Sequence, residues 1–174
     1  FMSPYGQRPL ALGADITMQS STKSLSGHSD VLGGVLATND KTLNERLQFM
    51  LKATGGVPSP FDNWLTLRST KTLALRYQKA SDNAFELASF LSEHPSVVRT
   101  IYPGLNSHPQ HEIAVKQQLS PKGEVVFGAM LSIDVGEISL RDNFLNKIEI
   151  YQLNKTIYLM IFLLRKINEK NKEK

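Results

Sequence analysis

Cysteine is absent from all 174 residues, which excludes disulfides and thiolate-ligated metal sites and fits a reducing compartment. No apolar run comes near the roughly twenty residues needed to span a bilayer. The most apolar stretch, residues 157–164, has eight. No internal repeat is visible, and the sequence begins at Phe1 with no initiator methionine and no recognisable signal or transit segment. The net charge of +4 is also missing from most of the chain. Lys155, Arg165, Lys166, Lys170, Lys172 and Lys174 against Glu169 and Glu173 place all of it in residues 151–174. The remaining fourteen basic and fourteen acidic residues cancel, so the body carries no bulk charge that would draw a nucleic acid.

What is present centres on Ser20-Ser21-Thr22-Lys23, followed by Ser24-Leu25-Ser26-Gly27-His28-Ser29-Asp30. A lysine amine forms an imine with an aldehyde, and hydroxyls at Ser20 and Thr22 suit a phosphate. Pyridoxal 5′-phosphate is the common cofactor that asks for both. The same tetrapeptide also suits a turn or helix cap with a solvated lysine, and the spacing alone leaves that reading standing. Residues 15–20 alternate apolar and polar, as a strand does. That strand would deliver Lys23 at its C-terminal end, the edge at which open α/β sheets bind ligands.

His28, in a Gly-His-Ser-Asp turn, reads as bonded to local backbone rather than catalytic. His108 and His111 stand three apart, but no third ligand follows at a useful spacing. Pro109 suits a helix start, so no metal is expected.

Residues 30–38 read as a buried strand and 41–53 as a helix with Leu43, Leu47, Met50 and Leu51 on one face. Residues 62–93 read as one helix, in which Leu73, Tyr77, Ala80, Ala84, Leu87 and Leu91 make a continuous apolar stripe. A strand at 97–102, a helix from 106 to about 118, a strand at 125–135 and a helix at 139–148 complete an α/β pattern. Residues 167–174 are low in complexity and charged, and the tail 151–174 is expected to be disordered.

Eight ordered words resemble one family: Phe1-Met2-Ser3-Pro4-Tyr5, Gln7-Arg8-Pro9-Leu10-Ala11-Leu12-Gly13-Ala14-Asp15-Ile16, Ser20-Ser21-Thr22-Lys23, Gly27-His28-Ser29-Asp30, Val57-Pro58-Ser59-Pro60-Phe61-Asp62, Lys71-Thr72-Leu73, Ile101-Tyr102-Pro103-Gly104-Leu105 and Ser107-His108-Pro109-Gln110-His111-Glu112. The family is the transsulfuration group of pyridoxal-phosphate enzymes of cysteine and methionine metabolism. The likeness is strongest to its eukaryotic γ-lyase branch and runs to about residue 118, more loosely to 148.

The resemblance implies a partial fold-type I pyridoxal-phosphate transferase, an α/β fold like that of aspartate aminotransferase. Residues 1–74 would end the large cofactor domain, 75–150 would begin the smaller C-terminal α/β domain through a long helix, and 151–174 would be a divergent basic tail. Lys23 would hold the cofactor as a Schiff base, and Ser20 and Thr22 would bind its phosphate. The implied reaction cleaves cystathionine to cysteine, 2-oxobutyrate and ammonia, in a cytoplasmic homotetramer built as a dimer of dimers. Neither a nucleic acid nor a membrane would be a partner. The γ-synthase, β-lyase and methionine γ-lyase reactions of related branches stay open.

The resemblance also marks what is missing. The aspartate facing the pyridine nitrogen, the ring-stacking tyrosine and the residues lent by a neighbouring subunit would precede Phe1. The arginine that clamps the substrate carboxylate would follow the point of divergence after Lys147, as in a truncated or mis-spliced reading frame. Negligible lyase activity is therefore expected of this chain alone, and an inactive subunit associated with a full-length partner is the non-enzymatic reading. A basic-tail interaction protein would rest on residues 165–174 only. Ser24 and Ser26 stand where the family usually has Tyr and Asn, Ser69-Thr70 where it has Gly-Leu, and Lys52 where an amide is common.

Overall fold

The computed structural model describes residues 1–147 and 160–163. The chain opens in turns and a short 3-10 helix, Pro9–Leu12, closed by Gly13 at φ 99°, a conformation that suits a residue without a side chain. It then enters β1 (Thr17–Ser20), and β2 (Gly34–Ala37) returns antiparallel to it, Thr17 opposite Ala37 and Ser20 opposite Gly34. Three helices follow: α1 (Lys41–Thr54), α2 (Pro60–Thr70) and α3 (Leu73–Ser92). The rest is β3 (Arg99–Ile101), α4 (His111–Gln117), β4 (Met130–Asp134), α5 (Ile138–Asn146) and β5 (Met160–Leu163). In this second sheet β4 is central, antiparallel to β3 and parallel to β5, with α5 lying in the connection that a parallel pair requires.

Local chemistry sets most boundaries. The Asp40 carboxylate accepts the Leu43 N–H at 2.7 Å and the Ser59 hydroxyl accepts that of Asp62 at 3.1 Å, N-caps worth about 1 kcal/mol each. Gly55, at φ 68°, ends α1. The helix expected over 62–93 is instead two helices, parted at Lys71 and Thr72. The reason lies in the hydroxyls of Thr70 and Thr72, which bond the carbonyls of Leu67 (2.8 Å) and Ser69 (3.2 Å) and compete with the helical ladder.

The helix expected from 106 begins only at His111. Successive three-residue turns bond Leu105 to Tyr102, His108 to Leu105 and His111 to His108, and Pro109 has no N–H to offer. Gly128, at φ 83°, delays the strand expected from 125 until Met130.

Two further expectations are corrected. Residues 30–38 were read as a buried strand, yet pairing is confined to Gly34–Ala37 and all four residues are exposed. Their single strand partner is β1, and no described layer covers them. Within the basic tail, Met160–Leu163 form β5, where composition predicts disorder; the rest of 148–174 lies outside the described residues.

The core is in two parts, both built on α3. Its C-terminal half sets Ala84, Ala88 and Leu91 against Tyr102, Leu131 and Ile133. Its N-terminal half sets Leu73 and Tyr77 against Leu25 and Val126, with Met2 and Tyr5 packed alongside. The expected stripe is thus the buried face, with Leu87 half-buried. Between the two parts, Tyr102 donates its hydroxyl to the Gly128 carbonyl (2.8 Å) and the Gly128 N–H reaches the Ser81 hydroxyl (3.2 Å), so these buried polar groups are mutually satisfied. The helices α1 and α2 differ sharply. Phe49, Phe61, Trp64 and Leu67 all lie more than half exposed.

Burial pushes the Tyr77 and Tyr102 hydroxyls up to about 12 from 10.0. The folded state therefore favours the neutral phenols. Their contribution to stability is complete below pH ~10 and is lost as pH rises through about 12. Urea midpoints measured from pH 8 to 12 are expected to be flat up to about pH 10 and then to fall. In the double variant Tyr77→Phe, Tyr102→Phe the protein should be less stable throughout, with a visibly shallower alkaline fall.

Candidate functional site

The strand β1 hands the chain directly to a turn spanning Ser21–Leu25, in which the Ser26 N–H bonds the Ser21 carbonyl (3.0 Å) across five residues. Lys23 departs from helical geometry there (φ −88°, ψ −127°), and its carbonyl accepts the Gly27 N–H at 2.8 Å. Gly33 fastens the turn to β2. Its carbonyl accepts the N–H groups of Ser21 (2.9 Å) and Thr22 (3.3 Å), and its own N–H donates to Thr22 Oγ1 at 2.9 Å. A Cβ built on Gly33 would stand 2.8 Å from Ser21 Oγ, so the close approach favours glycine.

Ser20, Thr22 and Lys23 thus come together at the C-terminal end of β1, as the alternation of residues 15–20 predicts. All three are half-buried. Among the described residues Lys23 has no carboxylate partner, and its Nζ lies 5.2 Å from the centroid of the Phe1 ring. The two hydroxyls are not equivalent. Thr22 Oγ1 accepts from the Gly33 N–H and lies 3.3 Å from the Gly33 carbonyl, whereas Ser20 Oγ makes no hydrogen bond among the described residues. An amine held free of acid, a free hydroxyl and a second hydroxyl anchored to backbone form a donor set that fits an aldehyde bearing a phosphate.

The other flagged histidines are engaged locally. His28 Nδ1 pairs with the Ser26 carbonyl. His108 Nδ1 accepts the Gln110 N–H at 3.1 Å, while His111 Nδ1 bonds the Pro103 carbonyl at 2.8 Å and its ring stacks on Phe127. Ser26, at one of the positions where the family pattern has another residue, is buried with its hydroxyl unpaired.

The sequence reading missed Arg76. Its Nη1 donates to the Ser24 carbonyl (3.0 Å), and its Nη2 to the carbonyls of Ser69 (2.9 Å) and Leu25 (3.5 Å). The sole sequence signal is its place beside Tyr77, off the apolar stripe of α3.

Comparison with known proteins adds the following. The model of the Cys/Met metabolism PLP-dependent enzyme family matches residues 1–157. A cystathionine γ-lyase of Dictyostelium discoideum is 49% identical over 157 residues, covering 90% of this chain and 39% of its own length. A probable cystathionine γ-synthase of Herpetosiphon aurantiacus is 50% identical over 133 residues, 76% of this chain and 40% of its own. The crystal structure of a cystathionine γ-synthase from Xanthomonas oryzae pv. oryzae, in complex with aminoacrylate and cysteine, superposes with a TM-score of 0.84 at 36% identity, covering 91% of this chain and 40% of that one. The chain therefore spans about two fifths of the length of these relatives.

The hydroxyls can be separated by mutation. Thr22→Val leaves the Gly33 N–H unpaired and is expected to lower stability by about 1 kcal/mol. Ser20→Ala removes no bond and should leave the urea midpoint unchanged. Paired denaturation curves check both.

Proposed function

Because this chain belongs to the Cys/Met metabolism PLP-dependent enzyme family, we propose that it forms the lysine-bearing part of the cofactor site in a cystathionine-cleaving enzyme. The observation that carries the reading is the Lys23 turn, which sets an acid-free amine beside the Ser20 and Thr22 hydroxyls at the end of β1. Pyridoxal 5′-phosphate, when bound, supplies the electron sink that makes departure of a γ-sulfur possible. Lys23 would hold the cofactor through its side-chain amine. That amine, once free, would accept the substrate's Cα proton and help remove a proton from Cβ. Ser20 would donate to the phosphate without giving up another bond among the described residues. Thr22 does so by turning its proton away from the Gly33 carbonyl, while its oxygen still accepts from the Gly33 N–H.

The choice of γ-lyase rests on the longer of the two matches and on the Val57-Pro58-Ser59-Pro60 and Ser107-His108-Pro109-Gln110-His111 words. γ-Synthase chemistry is the nearest alternative, at 50% identity against 49%. The substrate class is an amino acid with a thioether side chain, the assembly a homotetramer and the compartment the cytoplasm.

One observation favours a second reading. The exposed apolar side chains of β2, α1 and α2 leave the cofactor-bearing half uncovered among the described residues. A chain of this kind also suits a non-catalytic subunit seated against a full-length family member.

Mixing the purified chain with pyridoxal phosphate should give a visible absorbance band that is absent in Lys23→Ala. A band of equal strength in both would sink the assignment of Lys23. Co-expression with a full-length cystathionine γ-lyase separates the two readings. A stable complex whose activity is unaffected by Lys23→Ala would support the subunit, whereas activity lost with that substitution would support the enzyme.

A further inference from the structure

Arg76 is unusual in what it bonds. Among the described residues, every hydrogen bond of its guanidinium goes to a neutral oxygen: the carbonyls of Ser24, Leu25 and Ser69, and the Thr72 hydroxyl at 3.0 Å. No carboxylate pairs with it among the described residues, where the single ion pair is Arg141 with Asp142. A half-buried cation without a counter-charge is not placed by charge pairing, so its role is read from the carbonyls it gathers.

Two of those carbonyls belong to the residues directly after Lys23. Gly27, at φ 70°, closes the same turn against the guanidinium, and a Cβ built there would collide with Arg76. The turn 23–27 is thus wrapped around the head of Arg76, with Lys23 at its start.

Tyr77, the next residue of α3, reaches the other side of the lysine. Its hydroxyl donates to the Phe1 carbonyl at 3.3 Å, and the Phe1 ring is the group that lies under the Lys23 amine. Consecutive residues of one helix therefore hold the two segments that bracket Lys23. That helix is also the one on which β3 and β4 pack.

We propose that Arg76 is a positioning residue for Lys23: by tying the Ser24 and Leu25 carbonyls to α3 it fixes the turn from which the lysine side chain departs. The inference rests on Lys23 being the cofactor lysine, but its mechanical part stands apart from any cofactor. A planar fork bonds several carbonyls at once, whereas an ammonium bonds one or two without fixing their relative direction.

The test uses the whole chain as wild type, Arg76→Ala and Arg76→Lys, with two readouts. The first is hydrogen exchange of the Ser26 and Gly27 amides, which bond Ser21 and Lys23 across the turn. The second is borohydride trapping of pyridoxal phosphate, with peptide mass spectrometry to give the share of label on Lys23 against the other lysines.

Arg76→Ala should speed exchange at Ser26 and Gly27 by about tenfold and cut the Lys23 share several-fold, with Leu131 and Ile133 still protected. Arg76→Lys should recover part of both. Unchanged exchange in Arg76→Ala would overturn the proposal. So would protection lost equally in β4 in both variants, because Arg76 would then serve the core and not the turn. Wild-type label spread evenly over the lysines would instead refute Lys23 as the cofactor lysine, and the exchange data would still decide whether Arg76 holds the turn.

Discussion

One helix serving two cores is the constraint on which the rest of this structure depends. The twenty residues of α3 extend about 30 Å at 1.5 Å per residue, long enough to carry one packing face past two different neighbours. Against the second sheet the face narrows to Ala84 and Ala88, both without exposed surface, so the helix lies close on β3 and β4. A larger side chain at either position would push the sheet away, since interiors at this density have no slack. Against the opening segment the face carries Leu73 and Tyr77, which reach out to Leu25 and Val126. Ser81 stands where the two faces meet and takes the Gly128 N–H, so the crossing stays polar but satisfied.

That arrangement ties the candidate site to the far sheet. The Lys23 turn touches β1 and β2 on one side and α3 on the other, through Gly33 and Arg76 respectively. A displacement of α3 relative to β1 would act first on the carbonyls of Ser24 and Leu25, which Arg76 ties to the helix. Tyr77 makes the coupling two-sided, because it anchors the segment whose first ring sits under the lysine amine.

The features legible in the sequence were those whose causes are local. The stripe of α3 repeats with the helical period, so it shows in the chain without knowledge of what it packs against. Ser20, Thr22 and Lys23 were legible as a group because the turn that gathers them is contiguous. Arg76 was not, since its partners in the lysine turn are main-chain carbonyls fifty-one and fifty-two residues away, and carbonyls leave no mark on composition. The break between α2 and α3 was hidden by a different effect: Thr70 and Thr72 read as tolerable helix residues until their hydroxyls are seen on the carbonyls behind them. For β2 the apolar composition reports surroundings that the described residues do not supply. For β5 the charged composition of the tail masked four apolar residues that pair with β4.

The two halves of the molecule therefore differ in how self-contained they are. From Ala80 onward, α3 and the second sheet bury one shared set of side chains and pair Ser81, Tyr102 and Gly128 with one another, while the buried Thr100 hydroxyl has no partner among the described residues. Before Leu73, the strands and helices present apolar side chains outward, an arrangement that suits burial against further polypeptide more than contact with water. Yet the geometry of the lysine turn does not share this openness. Its bonds to Gly33 and Arg76 all come from within the described residues. The positioning of the Lys23 amine and the covering of the face around it are thus separable properties, held by different parts of the chain. Chemistry that needs only the lysine and its hydroxyls belongs to the first property. Exclusion of water belongs to the second, because the described residues leave that face open.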